Sequence, residues 1–170
     1  MPYIALVLLL LAIILFWQSG RQRRQAGLPG GRVIYTDTRG WGEVEKPLYA
    51  PDVGLTGKPD YLVEKNGAII PVEVKSGRAP RAPYDSHIYQ LAAYCMLVEK
   101  VYRKRPPYGI IHYPDRDFAI DYTRELESAL YELMAALHQD EYRADVARSH
   151  EERGRCLRCG YRNICDDQLG

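Results

Sequence analysis

Residues 57–77 read GKPDYLVEKNGAIIPVEVKSG, and this stretch decides the fold. Asn66-Gly67 at its centre is the strongest short-range signal for a two-residue hairpin turn, because both central positions of such a turn need positive φ. With those two residues as the loop, Lys65 pairs with Ala68, and counting outward sets Asp60 opposite Glu73. Side chains alternate along a strand, so Lys75 shares the face of Glu73 while Val72 and Val74 point the other way. Ile69 and Ile70 precede these valines, which predicts a central, mostly buried second strand. Charged groups are seldom buried without a partner. Two carboxylates opposed across a strand pair also repel, and a divalent cation with oxygen ligands, Mg²⁺ or Mn²⁺, relieves that repulsion. A hairpin face turned to water would need no cation, but the apolar flanks argue for a site.

Outward from the hairpin, the pattern is that of an α/β domain with a mixed sheet. Arg32-Val33-Ile34-Tyr35-Thr36 reads as a strand, and another lies near Leu48. Asp85 or Ser86 is placed to cap a helix running to about residue 102, with Ile88, Leu91, Ala92, Cys95 and Val98 on one apolar stripe. Pro106-Pro107 ends it, and two strands over 108–113 and 118–122 follow around a turn at Pro114-Asp115. Thr123 caps a second helix to about residue 140, with Leu126, Leu130, Leu133 and Leu137 along one side.

The chain of 170 residues carries a net charge of +1, which argues against a protein that coats nucleic acid nonspecifically but leaves room for a local basic groove. Basic residues do cluster, at Arg78 and Arg81, at Arg103-Lys104-Arg105, and at Arg153, Arg155, Arg158 and Arg162 around the cysteine-bearing tail. Tyrosine outnumbers phenylalanine 14 to 2, which suits either amphipathic packing or base stacking. Residues 3–17 carry no charge, and Arg21, Arg23 and Arg24 follow at once. That run is at the short end for crossing a hydrocarbon layer of ~30 Å. It lacks a preceding basic residue and a clear cleavage site, so it reads as an anchor and not as a signal peptide. The arginines then place the remainder on the cytoplasmic side. The expected organisation is a transmembrane anchor over 1–18, a linker over 19–31, the α/β domain over 32–150 and a cysteine module over 151–170.

The motifs now form a series: GxxD in GKPDYLV, ExK in PVEVKSG, QxxxY from Gln90 to Tyr94 in YQLAAY, and C-x₂-C-x₅-C in CLRCGYRNIC. As an ordered set it resembles the PD-(D/E)XK nuclease superfamily, and within it the RecB-like exonucleases associated with CRISPR adaptation modules, over residues 33–165. The resemblance implies a restriction-endonuclease-like mixed sheet flanked by helices. It implies that Asp60 and Glu73, with the Val74 backbone carbonyl, ligate a catalytic Mg²⁺ or Mn²⁺, and that Lys75 acts on the attacking water. Gln90 and Tyr94 would flank the active site as further catalytic residues, and Cys156, Cys159 and Cys165 would hold a [4Fe–4S] cluster, with Zn²⁺ as the alternative. The chemistry agrees. Two carboxylates around a cation lower the pKa of a bound water, an ammonium stabilises charge building on phosphate, and residues four apart on a helix share a face.

Two departures stand out. The family pattern has an upstream histidine ligand, whereas His87, His112, His138 and His150 all follow the ExK strand, leaving Glu43 or Glu45 as candidate substitutes. The fourth cluster ligand is also missing, and Cys95, on an apolar helix stripe, reads as a buried small residue. The expectation is therefore a membrane-anchored, metal-dependent DNA nuclease, a single-strand exonuclease that hydrolyses phosphodiesters with a metal-activated water. The alternative is a catalytically weakened member of the fold that binds nucleic acid or a partner complex at the membrane, CRISPR adaptation or DNA-repair proteins among them. A tethered metal-binding scaffold without a nucleic-acid role would leave the Asp60, Glu73 and Lys75 constellation to chance.

Overall fold

A computed structural model of the chain describes residues 32–34 and 41–169. Eight short strands are present there: β1 (Arg32–Ile34), β2 (Trp41–Glu43), β3 (Leu48–Ala50), β4 (Leu55–Gly57), β5 (Tyr61–Lys65), β6 (Ala68–Val74), β7 (Tyr108–Tyr113) and β8 (Arg116–Asp121). Three helices, α1 (Asp85–Tyr102), α2 (Arg124–Glu141) and α3 (Arg153–Leu157), complete the order together with 3₁₀ turns over Pro51–Val53 and Arg162–Ile164. Six strands form one mixed sheet in the order β1-β8-β7-β6-β5-β2, with β3 and β4 paired apart from it. Every pairing in the large sheet is antiparallel except β6 with β7. That parallel pair needs a crossover, which α1 supplies.

The hairpin register is the one the sequence predicts. Lys65 pairs with Ala68 and Tyr61 with Val72, around Asn66 at φ 51° and Gly67 at φ 78°. Strand β6 is central, and its apolar residues Ile70 and Val72 are buried. Helix α1 lies on β6 and β7 and also against β3 and β4. Its predicted stripe of Ile88, Leu91, Ala92, Cys95 and Val98 is buried throughout. The approach is close at Gly109, where an added Cβ would meet Leu91 Cγ at 2.6 Å.

Several local expectations change. Helix α1 is capped by neither Asp85 nor Ser86: its N-cap is Tyr84, which makes no side-chain cap bond, and Asp85 falls in the first turn, where its charge suits the helix dipole. Strand β8 begins at Arg116, two residues before the expected start, because the turn is only Pro114-Asp115. Strands β2 and β4 are three-residue elements with too little alternation to be read in advance. Thr123 does cap α2, accepting from the Leu126 N–H at 3.2 Å. Leu126 and Leu130 on that helix are buried, whereas Leu133 and Leu137 are exposed.

The chain divides into two compact units, one up to Glu132 and the other from Leu133 to Gly170. In the first, Arg105 ties α1 to the start of α2: it donates to Glu99 at 2.8 Å, to Glu127 at 2.9 Å and to the Tyr122 carbonyl at 3.1 Å, with its guanidinium 4.2 Å from the Tyr122 ring centroid. Among the described residues no helix is long and apolar enough to cross a membrane. The anchor expected over 1–18 and the linker over 19–31 lie outside the described residues, as do Tyr35 and Thr36.

Candidate active site

Site geometry starts from the hairpin pairing. The β5–β6 ladder ends at Tyr61 with Val72, so Asp60 stands just beyond it, opposite Glu73. There its carboxylate takes the place of a ladder partner: Val74 N–H donates to Asp60 Oδ2 at 2.7 Å. Glu73 alternates onto the face that α1 covers, and only 7% of it is exposed. Lys75 follows on the same face, its backbone held by an N–H bond to the His112 carbonyl at 2.8 Å. Its ammonium donates to Glu73 Oε1 at 2.9 Å and to Gln90 Oε1 at 2.9 Å.

Helix α1 supplies the other wall. Gln90 donates through Nε2 to Glu73 Oε1 at 2.9 Å and toward the Tyr94 hydroxyl at 3.0 Å, one helical turn on. One amide thus links the lysine, the glutamate and the tyrosine. The structure brings Asp60, Glu73, Lys75, Gln90 and Tyr94 into one continuous network, with the Val74 N–H holding Asp60.

Electrostatics follow from burial. Loss of solvent pushes the Glu73 carboxyl above its ordinary value and the Asp60 charge pushes it the same way, while Lys75 and Gln90 pull it back. Burial likewise raises the Tyr94 hydroxyl, with Glu73 and Asp60 adding to the rise against the Gln90 bond. These bonds engage Oδ2 of Asp60 and Oε1 of Glu73. Among the described residues no third His, Cys, Asp or Glu joins them as a metal site. Two carboxylates suit Mg²⁺, which keeps several waters and is commonly bound through one or two carboxylates plus substrate phosphate oxygens.

Glu43 does not replace the missing upstream ligand. It pairs with Tyr61, so alternation turns it to the sheet face opposite Glu73. Glu43 and Glu45 line instead a cleft of about 510 Å³ with Leu62 and Tyr102. His112, bonded to Asp117 at 2.5 Å, pairs with Val74 and also lies on the opposite face. Two neighbours of the network were not singled out from sequence. His87, one turn before Gln90, bonds Tyr113 OH through Nδ1 at 2.8 Å, and burial, with the nearby Lys75 charge, lowers its pKa. Gly57 abuts the Tyr94 ring, and a Cβ there would stand 2.9 Å from Tyr94 Cε1. The spacing of His87 from Gln90 on one helix face was the available signal for the first, and nothing local marked the second.

The three tail cysteines lie in the second unit, Cys156 buried, Cys159 exposed and Cys165 between. Cys95 lies on α1 in the first unit, 1% exposed, with burial driving its thiol far up, which rules against a ligating thiolate there. Three thiolates do not make up the four that a [4Fe–4S] cluster ordinarily takes.

The profile of the PD-(D/E)XK nuclease superfamily matches residues 12–166. Among solved structures, SSO0001 is similar at 19% identity over 95% of this chain and 71% of that one, with a TM-score of 0.45, a likeness that carries no weight by itself. No curated protein matches the chain significantly.

Proposed function

The chain belongs to the PD-(D/E)XK nuclease superfamily, and from that premise we propose that it is a metal-dependent deoxyribonuclease acting on single-stranded ends. The observation that carries the reading is the network itself: a buried glutamate and an opposed aspartate at one end of a hairpin, with a lysine held against the glutamate. Asp60 and Glu73 would hold Mg²⁺ or Mn²⁺, with the Val74 carbonyl, and the ion's chemistry when bound is to acidify a water and neutralise charge on the phosphate. Lys75 keeps its ammonium within the site, where it orients the attacking oxygen and stabilises negative charge on the phosphoryl group. Gln90 fixes that ammonium and Glu73 together, so neither side chain must reorganise during reaction. Tyr94 anchors Gln90. The exposed Arg78 and Arg81, in the loop between Lys75 and α1, supply positive charge for the nucleic-acid backbone. The closer likeness to RecB-like exonucleases of CRISPR adaptation modules rests on the motif series. So does the choice of exonuclease over endonuclease. A membrane tether with the domain in the cytoplasm rests on the apolar run over 3–17 and the arginines after it.

A second reading, a catalytically weakened member that binds nucleic acid or a partner complex, is favoured by one observation: the described residues offer no third side-chain ligand. One assay separates the two. The full chain, purified without oxygen and supplied with Mn²⁺, is expected to degrade an end-labelled single-stranded oligonucleotide, and Lys75→Ala to lose activity on the order of 100-fold or more. Retained DNA binding without cleavage by the metal-loaded, unmutated protein would establish the second reading instead.

A further inference from the structure

Between Lys75 and α1 the chain runs through a loop over residues 76–83 that delivers an exposed ring, Tyr84, to the start of the helix. We infer that Tyr84 is a stacking platform that takes an unpaired base of the strand entering the site and so selects single-stranded DNA, a role that rests on the nuclease reading.

The ring is fixed from behind. Pro83 is buried, and the Tyr84 carbonyl accepts from the His87 N–H at 3.0 Å and the Ile88 N–H at 3.1 Å. The Tyr84 ring meets His87 edge to face, with centroids 5.3 Å apart and planes at 89°. His87 in turn bonds the Tyr113 hydroxyl through Nδ1 at 2.8 Å, and Tyr113 stands edge to face with Phe118 at 5.9 Å. Tyr113 and Phe118 are both buried. Edge-to-face pairs favour defined ring orientations. The succession of rings therefore runs outward from the sheet and ends on Tyr84, which is 58% exposed. A ring mounted in this way loses little freedom when a base settles on it.

The same rings adjoin the catalytic network. His87, Gln90 and Tyr94 follow at spacings of three and four along α1, so they share one face. His87 lies near enough to Lys75 to feel its charge. The loop that leads to Tyr84 is itself tied down: Ala79 N–H donates to Asp115 Oδ1 at 2.8 Å, and Arg78 Nε stands 3.6 Å from Asp115 Oδ2. Arg78 and Arg81 remain exposed. Positive charge for a sugar–phosphate backbone and a π surface for a base thus occur together in one short segment, the combination by which single strands are gripped. In a duplex each base is already stacked and paired, and bringing one onto Tyr84 would cost its unstacking.

The test measures binding of the full chain to a short, end-labelled single-stranded oligonucleotide by fluorescence anisotropy in the presence of Ca²⁺. A series of the same oligonucleotide, with one abasic site at each position in turn, is measured alongside. Tyr84→Ala is expected to weaken binding about 5- to 150-fold, the range for loss of one base–aromatic stack, and Tyr84→Phe to retain it. At one position, removal of the base should cost the unmutated chain that same factor and cost Tyr84→Ala nothing further. Tyr102→Ala, at the other end of α1, should bind as the unmutated chain does. Unchanged binding in Tyr84→Ala, or an abasic series in which no position matters to the unmutated chain, would overturn the inference. Either result leaves the nuclease reading to the Lys75→Ala cleavage assay. The abasic series needs no variant to fold. Base-dependent binding through Tyr84 without Mn²⁺-dependent cleavage would uphold the stacking and overturn the catalysis, whereas no binding to single-stranded DNA at all would overturn both.

Discussion

Removing Lys75 should destabilise the fold in a way that depends on pH. In the native chain the ammonium lies 2.9 Å from Glu73 Oε1, with side-chain exposures of 22% and 9%. At an effective dielectric of ~20 the gross attraction over that separation is about 6 kcal/mol. Desolvation of both groups cancels much of it, leaving a net effect of ~1–3 kcal/mol when one partner of a partly buried pair is deleted. Without Lys75, Glu73 keeps its burial and the repulsion of Asp60 and loses the ammonium that pulls it back, so its carboxyl, already raised, rises further. A carboxyl whose folded pKa lies above its unfolded value binds its proton more readily in the folded state. Stability therefore grows as pH falls through the folded pKa, and the penalty is felt in full above it. Urea unfolding of Lys75→Ala and the unmutated chain, followed by far-UV circular dichroism between about pH 5 and pH 8, should show the gap widest at high pH and shrinking toward low pH. A gap that stays constant with pH, or widens on acidification, would refute the idea that Lys75 compensates a strained Glu73 carboxylate.

Three further substitutions probe the frame around the site. Gly109→Ala drives a Cβ to 2.6–2.9 Å from the three outer carbons of Leu91 and should cost ~1–3 kcal/mol by urea titration, with cleavage per folded molecule unchanged. Gly57→Ala places a Cβ 2.9 Å from Tyr94 Cε1 and 3.1 Å from Leu97 Cδ1, so it should displace the ring that anchors Gln90. A turnover loss of about 10-fold or more is expected, since small misplacements in a site can cost ~100-fold. Arg105→Ala breaks the clamp on Glu99, Glu127 and the Tyr122 carbonyl and should lower stability by ~2–3 kcal/mol in chemical denaturation, leaving metal affinity unaltered.

Much of the frame was legible because it rests on local rules. Asn66-Gly67 fixes the turn, the turn fixes the register, and the register places Asp60 against Glu73 and Lys75 beside it. The stripe on α1 buries as its 3.6-residue period requires, which also delivers Gln90 and Tyr94 to one face. What was not legible depends on distant partners. Glu43 faces away from the site only because β2 pairs with β5 in the observed register, which no local pattern in three residues announces. Tyr84, not Asp85 or Ser86, ends the loop before α1, and it makes no side-chain cap bond by which sequence could mark the position. Nothing near Gly57 in sequence says that the Tyr94 ring will lie against it, and the bond from the Arg148 N–H to Asp167 joins residues nineteen apart.

In the proposed reaction Asp60 and Glu73 converge on one divalent cation. Titration of the metal-free full chain with Mn²⁺, with free ion read by electron paramagnetic resonance, addresses that claim directly. One strong site per chain is expected, weakened about 10-fold or more in both Asp60→Asn and Glu73→Gln, since hard cations draw most of their affinity from charged oxygen ligands. Mn²⁺ binding that is unchanged in both variants would contradict it.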